Sequence, residues 1–389
     1  MKEIYFDNSA TTAICPAARE RYIEVSQASF GNPSSLHKKG KEAEDILKAA
    51  RKSLLSAIGG EGGTLVFTSS GTEANNLALF GRVLAKDRSR GKRILTTAGE
   101  HASITEPLAA LQKMGMRVDE IPTKGGRLDM EFLSSALSPE VILVSVMMVN
   151  NETGALYDIP ALSALIKQKC PDCALHIDAT QAFFKLPLSV RALGARLITL
   201  SSHKIEGPKG LGALFIDPSL IKEKGIVPCL LGGGQEGGFR SGTENVPGIA
   251  AFAEAVEYNK AHFVEFSEKL AALRAYLLAS LQEDPAFSGV KPITPPAFAP
   301  HILSLVLPSI RSEIMLHALS GDGIFVSSGS ACSSNDRSHR GGALIAYGLS
   351  EKEADCAIRV SLSHKNEKEE IDLFLLSLKK NLSRLQRAR

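Results

Sequence analysis

The sequence predicts an α/β protein: a large domain with a mostly parallel mixed sheet flanked by helices, plus a smaller α+β domain. Three observations predict it. Between about residues 65 and 215, short apolar runs alternate with longer helical patterns, the order expected of strands joined by crossover helices. The runs are nearly continuous in Val, Ile and Leu, as strands covered on both faces are. The chain of 389 residues is also longer than one small core organises.

The elements follow in order. Leu65 to Thr68, Arg93 to Thr96, Val141 to Val149, Leu175 to Ile177, Leu197 to Leu200 and Ala213 to Ile216 read as strands. Glu73 to Lys86 and Ile159 to Lys169 read as helices between them. One long helical stretch is expected from Val246 to Gln282, then a Pro-rich loop from Lys291 to Pro296. Beyond it come a strand at Ile302 to Leu307, a helix at Glu313 to Leu319, a strand at Arg359 to Leu362 and a closing helix from Lys368. The domain boundary is placed inside the long helix, giving a large domain of residues 14–258 and a small one of 1–13 with 259–389.

Composition narrows the function classes. Lys and Arg number 45 against 42 Asp and Glu, so the net charge of +3 gives no electrostatic reason to expect nucleic acid or an anionic membrane as partner. The basic residues Lys379, Lys380, Arg384 and Arg387 read as a solvated helix end. No apolar run is long enough to span a bilayer, and the N-terminus lacks a signal-peptide core, so a cytoplasmic protein is the expectation. Six cysteines in this length suit a reducing compartment rather than a disulfide framework. Cys170 and Cys173 have C-x-x-C spacing but no second ligand pair, so the reading is a helix-to-strand turn without metal.

The unusual polar residues cluster at the carboxyl ends of the strands, where open α/β sheets bind ligands. Thr68 to Glu73 joins a strand to a helix, and Gly71 and Thr72 would offer backbone N–H groups and a hydroxyl to an anion at the helix start; a plain N-cap is the alternative. Asp178 ends an apolar strand, where a carboxylate needs a partner, and a pyridinium nitrogen would be one. Lys204, in Ser201-Ser202-His203-Lys204, lies just past the next strand and is placed for Schiff-base chemistry. Together the three point to pyridoxal phosphate.

These segments resemble the cysteine desulfurases, a class-V aminotransferase group of fold-type I pyridoxal-phosphate enzymes. The matching stretches are Tyr5 to Thr12, Phe30 to Ser35 with His37, Glu100-His101, Val149 to Gly154, His176 to Gln181, Ser202 to Lys204 and Gly207 to Gly210. They continue with Gly232 to Glu236, Arg240 to Thr243, Ser327 to Cys332 and Arg359. The resemblance implies that Lys204 carries the cofactor and that Asp178 pairs with its ring nitrogen, with Gln181 and Asn151 by the ring hydroxyl. It implies that His101 stacks on the ring and moves protons, that Gly71, Thr72, Ser201 and His203 hold the phosphate, and that Arg359 binds the substrate carboxylate. Thr243 would reach the phosphate of the neighbouring subunit, so a homodimer is implied.

The activity implied is conversion of L-cysteine to L-alanine, with sulfur passing to Cys332 as a persulfide and on to an acceptor protein such as an iron–sulfur scaffold. Arg337, His339 and Arg340 follow Cys332 closely and either lower its thiol pKa or are solvated loop charges. Two positions depart from the family pattern: Gly237 where Arg is frequent, and Ser333 to Arg337 after the cysteine. A selenocysteine lyase or an aminotransferase of the same fold, or a non-catalytic scaffold, are the competing readings; an aminotransferase would not need Cys332.

Overall fold

The computed structural model describes residues 3–85, 91–328 and 342–387. The chain begins with β1 (Ile4–Tyr5), α1 (Pro16–Ala28), α2 (Lys38–Ala57), β2 (Thr64–Thr68) and α3 (Gly71–Leu84). It continues through β3 (Arg93–Thr97), α4 (Ala102–Lys113), β4 (Arg117–Ile121), α5 (Met130–Ala136), β5 (Val141–Met147), α6 (Ile159–Lys169) and β6 (Ala174–Asp178). Then come α7 (Val190–Leu193), β7 (Leu197–Ser201), β8 (Gly212–Ile216), α8 (Pro218–Lys222) and α9 (Val246–Ala261).

Seven of these strands form one sheet in the order β2-β8-β7-β6-β5-β3-β4. The reason the strands are apolar throughout is visible in the side-chain alternation. Leu65 and Phe67 enter the core on one face while Val66 enters the core on the other; Ala213 and Phe215 separate from Leu214 and Ile216 in the same way. Only β8 runs against its neighbours, antiparallel to both β2 and β7. The connection from Ser201 to Gly212 is too short for a crossover helix, so the chain must turn back.

β4 has no counterpart in the sequence reading. It is one of the two edge strands, and its Arg-Val-Asp-Glu-Ile pattern keeps charge at an otherwise open ladder. The expected single helix from Val246 to Gln282 is two. His262, at φ −111° and ψ 10°, separates α9 from α10 (Phe263–Glu283). Its Nδ1 lies 2.8 Å from the Tyr258 carbonyl, drawing the side chain into the helical ladder. Apolar residues of α9, such as Phe252 and Val256, pack in the core of the seven-stranded sheet, whereas Leu270, Leu273 and Leu277 of α10 enter a second core.

The remaining elements are β9 (Lys291–Pro292), β10 (Ile302–Val306), α11 (Ser312–Gly321), β11 (Ile324–Phe325), β12 (Ser327–Ser328), α12 (Gly342–Tyr347), α13 (Glu351–Asp355), β13 (Ala357–Ser361) and α14 (Lys368–Arg387). Of these, β10, α11, β11, β13 and α14 supply that second core, while Leu344 of α12 and Ala354 of α13 join a small separate cluster with Ile293 and Val306. An antiparallel sheet, β12-β13-β10-β9, is covered by α10, α11 and α14. β1 pairs with β11, so the N-terminus is stitched into this C-terminal layer. Lys379 and Lys380 of α14 are exposed and paired with Asp284 (2.8 Å) and Asp322 (3.3 Å), a solvated face as expected.

The loop that carries Thr243 is anchored by one buried carboxylate. Glu236 accepts hydrogen bonds from Arg51 Nη1 (2.8 Å) and Nη2 (2.9 Å) and from the Phe67 backbone N–H (2.8 Å). Its side chain is 2% exposed. Gly237, the position that departs from the family pattern, adopts φ +64°, a left-handed conformation suited to glycine. Arg51→Met is expected to destabilise the protein by about 3 kcal/mol, because it leaves the Glu236 carboxylate buried without its cation. Chemical denaturation beside wild type checks this.

Candidate active site

The carboxyl ends of β2, β6 and β7, the N-termini of α3 and α4, the N-terminal segment and β13 converge on one cavity of about 280 Å³. Its walls include Ser9, Gly71, Thr72, His101, Asn151, Asp178, Gln181, Ser201, His203, Lys204 and Arg359. Ten of the twelve residues singled out from sequence as catalytic, cofactor-binding or substrate-binding are thus brought together. Thr243 is exposed and lines a separate cleft with Thr68, Glu236 and Arg240. Cys332, with Arg337, His339 and Arg340, lies outside the described residues.

The α3 end is both a capped helix start and an anion seat. Ser70 Oγ accepts from the Glu73 N–H at 3.1 Å, and Glu73 Oε2 accepts from the Ser69 N–H at 2.8 Å. Gly71 follows at the first helical position, where a side chain would come within 3.3 Å of Thr180 Oγ1 and 3.5 Å of Ser201 Cβ. Leaving that space open lets the Gly71 and Thr72 N–H groups, with Ser201 and His203 opposite, face an incoming phosphate. His203 Nδ1 lies 3.1 Å from Thr11 Oγ1. Burial, then Lys204 and Lys209, push the His203 pKa down to about 4, so the ring is neutral near pH 7.

Asp178 is buried at the end of β6. Its Oδ2 accepts from Asn75 Nδ2 at 2.8 Å and its Oδ1 from the Thr180 N–H at 2.9 Å. The same Asn75 amide donates to Ser103 Oγ at 2.8 Å. Ser103 in turn lies 2.9 Å from His101 Nδ1, which also accepts the Ser103 N–H at 3.1 Å. His101 Nδ1 is therefore an acceptor and the proton of the neutral ring belongs on Nε2. His101 keeps exposed surface toward the cavity; desolvation lowers its pKa against the opposing pull of Asp178.

Beneath the site, His176 sits between Ser145 Oγ (2.9 Å) and Thr199 Oγ1 (3.0 Å) on the flanking strands. Burial holds its pKa at about 4. His176 and His203 ionise far below the ordinary 6.5, so the unfolded chain takes up protons first as pH falls. Their contribution to stability is present above pH 6.5 and is lost as pH falls toward 4. Glu100 and Glu152, buried carboxyls pushed up to about 8 and about 7, act with the opposite sign, so the readout is a difference: between about pH 6.5 and 4 the denaturation midpoint is expected to fall less steeply in His176→Gln than in wild type.

Lys204 Nζ donates to the carbonyls of Ser9 and Ala10, the latter at 2.7 Å. Gln181 Nε2 donates to the same Ser9 carbonyl at 3.0 Å. Arg359, 4% exposed on β13, donates from Nη1 to the Asn151 carbonyl (2.8 Å) and from Nη2 to Asp7 Oδ1 (3.0 Å). Asn75, Ser103, Asp7 and the Ser9 and Ala10 carbonyls are site components that sequence reasoning missed. Asn75 carried a faint signal, an Asn facing inward one turn into a helix. Backbone carbonyls carry none.

The donor set suits an aromatic ring with an attached phosphate. Orphaned polar atoms fit as well: Asn75 Oδ1, Ser9 Oγ and Arg359 Nε are buried without a partner among the described residues.

The class-V aminotransferase family model matches residues 4–374. A NifS/IcsS protein homolog of Lactobacillus delbrueckii subsp. bulgaricus is 38% identical over 96% of this chain and 95% of its own length. Cysteine desulfurase IscS 1 of Archaeoglobus fulgidus is 36% identical over 98% and 97%. A solved NifS-like protein superposes with a TM-score of 0.90 at 33% identity, over 98% of this chain and 100% of that one.

Proposed function

The chain belongs to the class-V aminotransferase family and is a cysteine desulfurase; from that premise we propose which residues do the work and with which cofactor. The family depends on pyridoxal phosphate, and the reading assigns that cofactor to this cavity, with Lys204 as its covalent anchor. The observation that carries the assignment is the convergence of Lys204, Asp178, His101 and Arg359 on one cavity beside a helix N-terminus.

When bound, the cofactor supplies an electron sink for charge developing at the substrate α-carbon. Thr72, Ser201, His203 and the Gly71 N–H would hold its phosphate, and Asp178, aimed by Asn75 and Thr180, would favour a proton on its ring nitrogen. Asn151 and Gln181 line the same cavity and would hold the ring hydroxyl. Arg359 takes the L-cysteine carboxylate, where a planar fork outperforms a lysine. With substrate bound, Lys204 would accept the α-proton at Nζ, and the Ser9 and Ala10 carbonyls would receive the hydrogen bonds of the ammonium that results. His101, neutral and fixed through Nδ1, has Nε2 left for proton transfer.

The Cys332 thiolate attacks the substrate sulfur. The new S–S bond forms as the Cβ–S bond breaks and its electron pair passes to Cβ, which then takes a proton, so that the products are a persulfide on Cys332 and alanine. An acceptor protein then takes the sulfur.

A cytoplasmic homodimer and a division near residue 258 complete the reading. The described cysteines are all free thiols, as a reducing compartment keeps them, and Thr243 is exposed outside its own cavity, where a neighbouring subunit could use it. Among the described residues no helix is long and apolar enough to cross a membrane. The test is product analysis: L-cysteine incubated with protein, pyridoxal phosphate and a thiol reductant should give alanine and sulfide in equal amounts. Transamination products without sulfide would favour an aminotransferase and overturn it.

A further inference from the structure

The mechanism uses Arg359 and Lys204 but leaves unexplained what orients them. Both are held by one short stretch of chain, residues 7–12. It opens on an isolated bridge and then turns, with the Ala10 N–H donating to the Asp7 carbonyl at 3.0 Å, and it is pinned to β13: Asp7 bridges Ser361, the Ser361 N–H donates to the Phe6 carbonyl at 2.7 Å, and the Ser9 N–H donates to Ser361 Oγ at 2.9 Å. At its other end Thr12 is pinned to the Lys204 loop, its N–H (3.1 Å) and Oγ1 (2.8 Å) both donating to the His203 carbonyl. The side chain and carbonyls between these pins face the two reactive cations.

Arg359 is a buried cation. The Asn151 carbonyl partners Nη1, and Nε has no partner among the described residues. Asp7 Oδ1, at 3.0 Å from Nη2, is the only carboxylate paired with this guanidinium among the described residues. Asp7 is one-fifth exposed and Arg359 one-twentieth, so the pair lies well out of bulk solvent. A buried guanidinium is costly without a counter-charge and free to re-aim without a second fixed contact. Asp7 supplies both. It does so from a backbone position set by its bridge to Ser361 on β13.

We propose that Asp7 is a positioning residue for the desulfurase reaction, fixing the Arg359 guanidinium so that it meets the substrate carboxylate correctly. This rests on the reading of Arg359 as the carboxylate-binding residue. The effect runs through Arg359 alone. A ligand with a carboxylate feels the loss of Asp7, and a ligand with only an amine does not.

The test uses the holoenzyme and two ligands that do not donate sulfur. L-Alanine carries a carboxylate and an amine; n-propylamine carries the amine alone. Both are titrated while cofactor absorbance is followed. In Asp7→Asn, the apparent Kd for L-alanine is expected to rise roughly tenfold or more, and that for n-propylamine to stay within about twofold. Steady-state KM for L-cysteine should rise in parallel, with kcat changing less. Asp7→Glu should recover part of the L-alanine affinity.

Equal weakening of both ligands would show that Asp7 only supports the local fold and would overturn the proposal, as would no change in either. Should Asp7→Asn fail to retain cofactor, Asp7→Glu alone decides: a selective loss of L-alanine affinity supports the proposal, an unselective one removes it. A wild type that turns over no L-cysteine would instead remove the functional reading, which the same preparations distinguish.

Discussion

In Cys332→Ala, release of alanine and sulfide from L-cysteine is expected to fall by about 10³-fold or more, with cofactor absorbance intact. The substrate sulfur must leave as a sulfur bonded to something, and no other described cysteine lines the cavity: Cys15, Cys170, Cys173 and Cys356 are buried elsewhere and Cys229 is on the surface. Activation by an adjacent hydroxyl would not substitute, since the attacking group must be a soft thiolate. Quantifying alanine and sulfide together is the check. A mutant matching wild type would remove Cys332 from the mechanism. Loss of activity together with loss of cofactor would mean that the substitution had damaged the site more broadly.

Lys204→Ala should have the larger effect, about 10⁴-fold, because one side chain has two duties. It anchors the cofactor covalently and it accepts the α-proton. The two losses separate experimentally. Cofactor should elute from the mutant on denaturing gel filtration without borohydride-stable attachment, while wild type treated with borohydride retains it. A small primary amine added to the mutant should restore part of the proton-transfer step and none of the anchoring. Retention of a borohydride-stable adduct in Lys204→Ala would place the anchor elsewhere.

Much of this site was legible because strand ends announce themselves. Asp178 and Lys204 each follow an apolar run that ends abruptly in polar residues, and a buried carboxylate or amine there demands a partner. Gly71 was legible because a glycine between a strand and a helix leaves room for an anion. What stayed hidden has physical reasons. β4 was missed because an edge strand keeps charge, which erases the apolar run that marks its neighbours. The reversed direction of β8 leaves no trace in its composition, which matches that of a parallel strand. The helix break at His262 depends on one ring nitrogen meeting a carbonyl, an event no periodicity encodes. The acceptors for Lys204 are main-chain oxygens, so residue type carries no information about them. Asp7 lay within a quoted motif, but its partner is 352 residues away and only folding makes the pair.

The return of the chain from β7 to β8 bears on the order in which this protein assembles. Ser201 and Gly212 are paired across that return, and Lys204 lies between them, so the backbone that carries the anchor is set by contacts local in sequence, and the Ser9 and Ala10 carbonyls that receive its Nζ are made before it. The opposite is true of the Arg359 and Asp7 pair, whose loop is nearly the whole chain. On a ribosome the sheet and its lysine can form while β13 is still unmade. The substrate-selecting half of the site therefore arrives last, and a truncated product could hold the lysine in place yet never choose an amino acid.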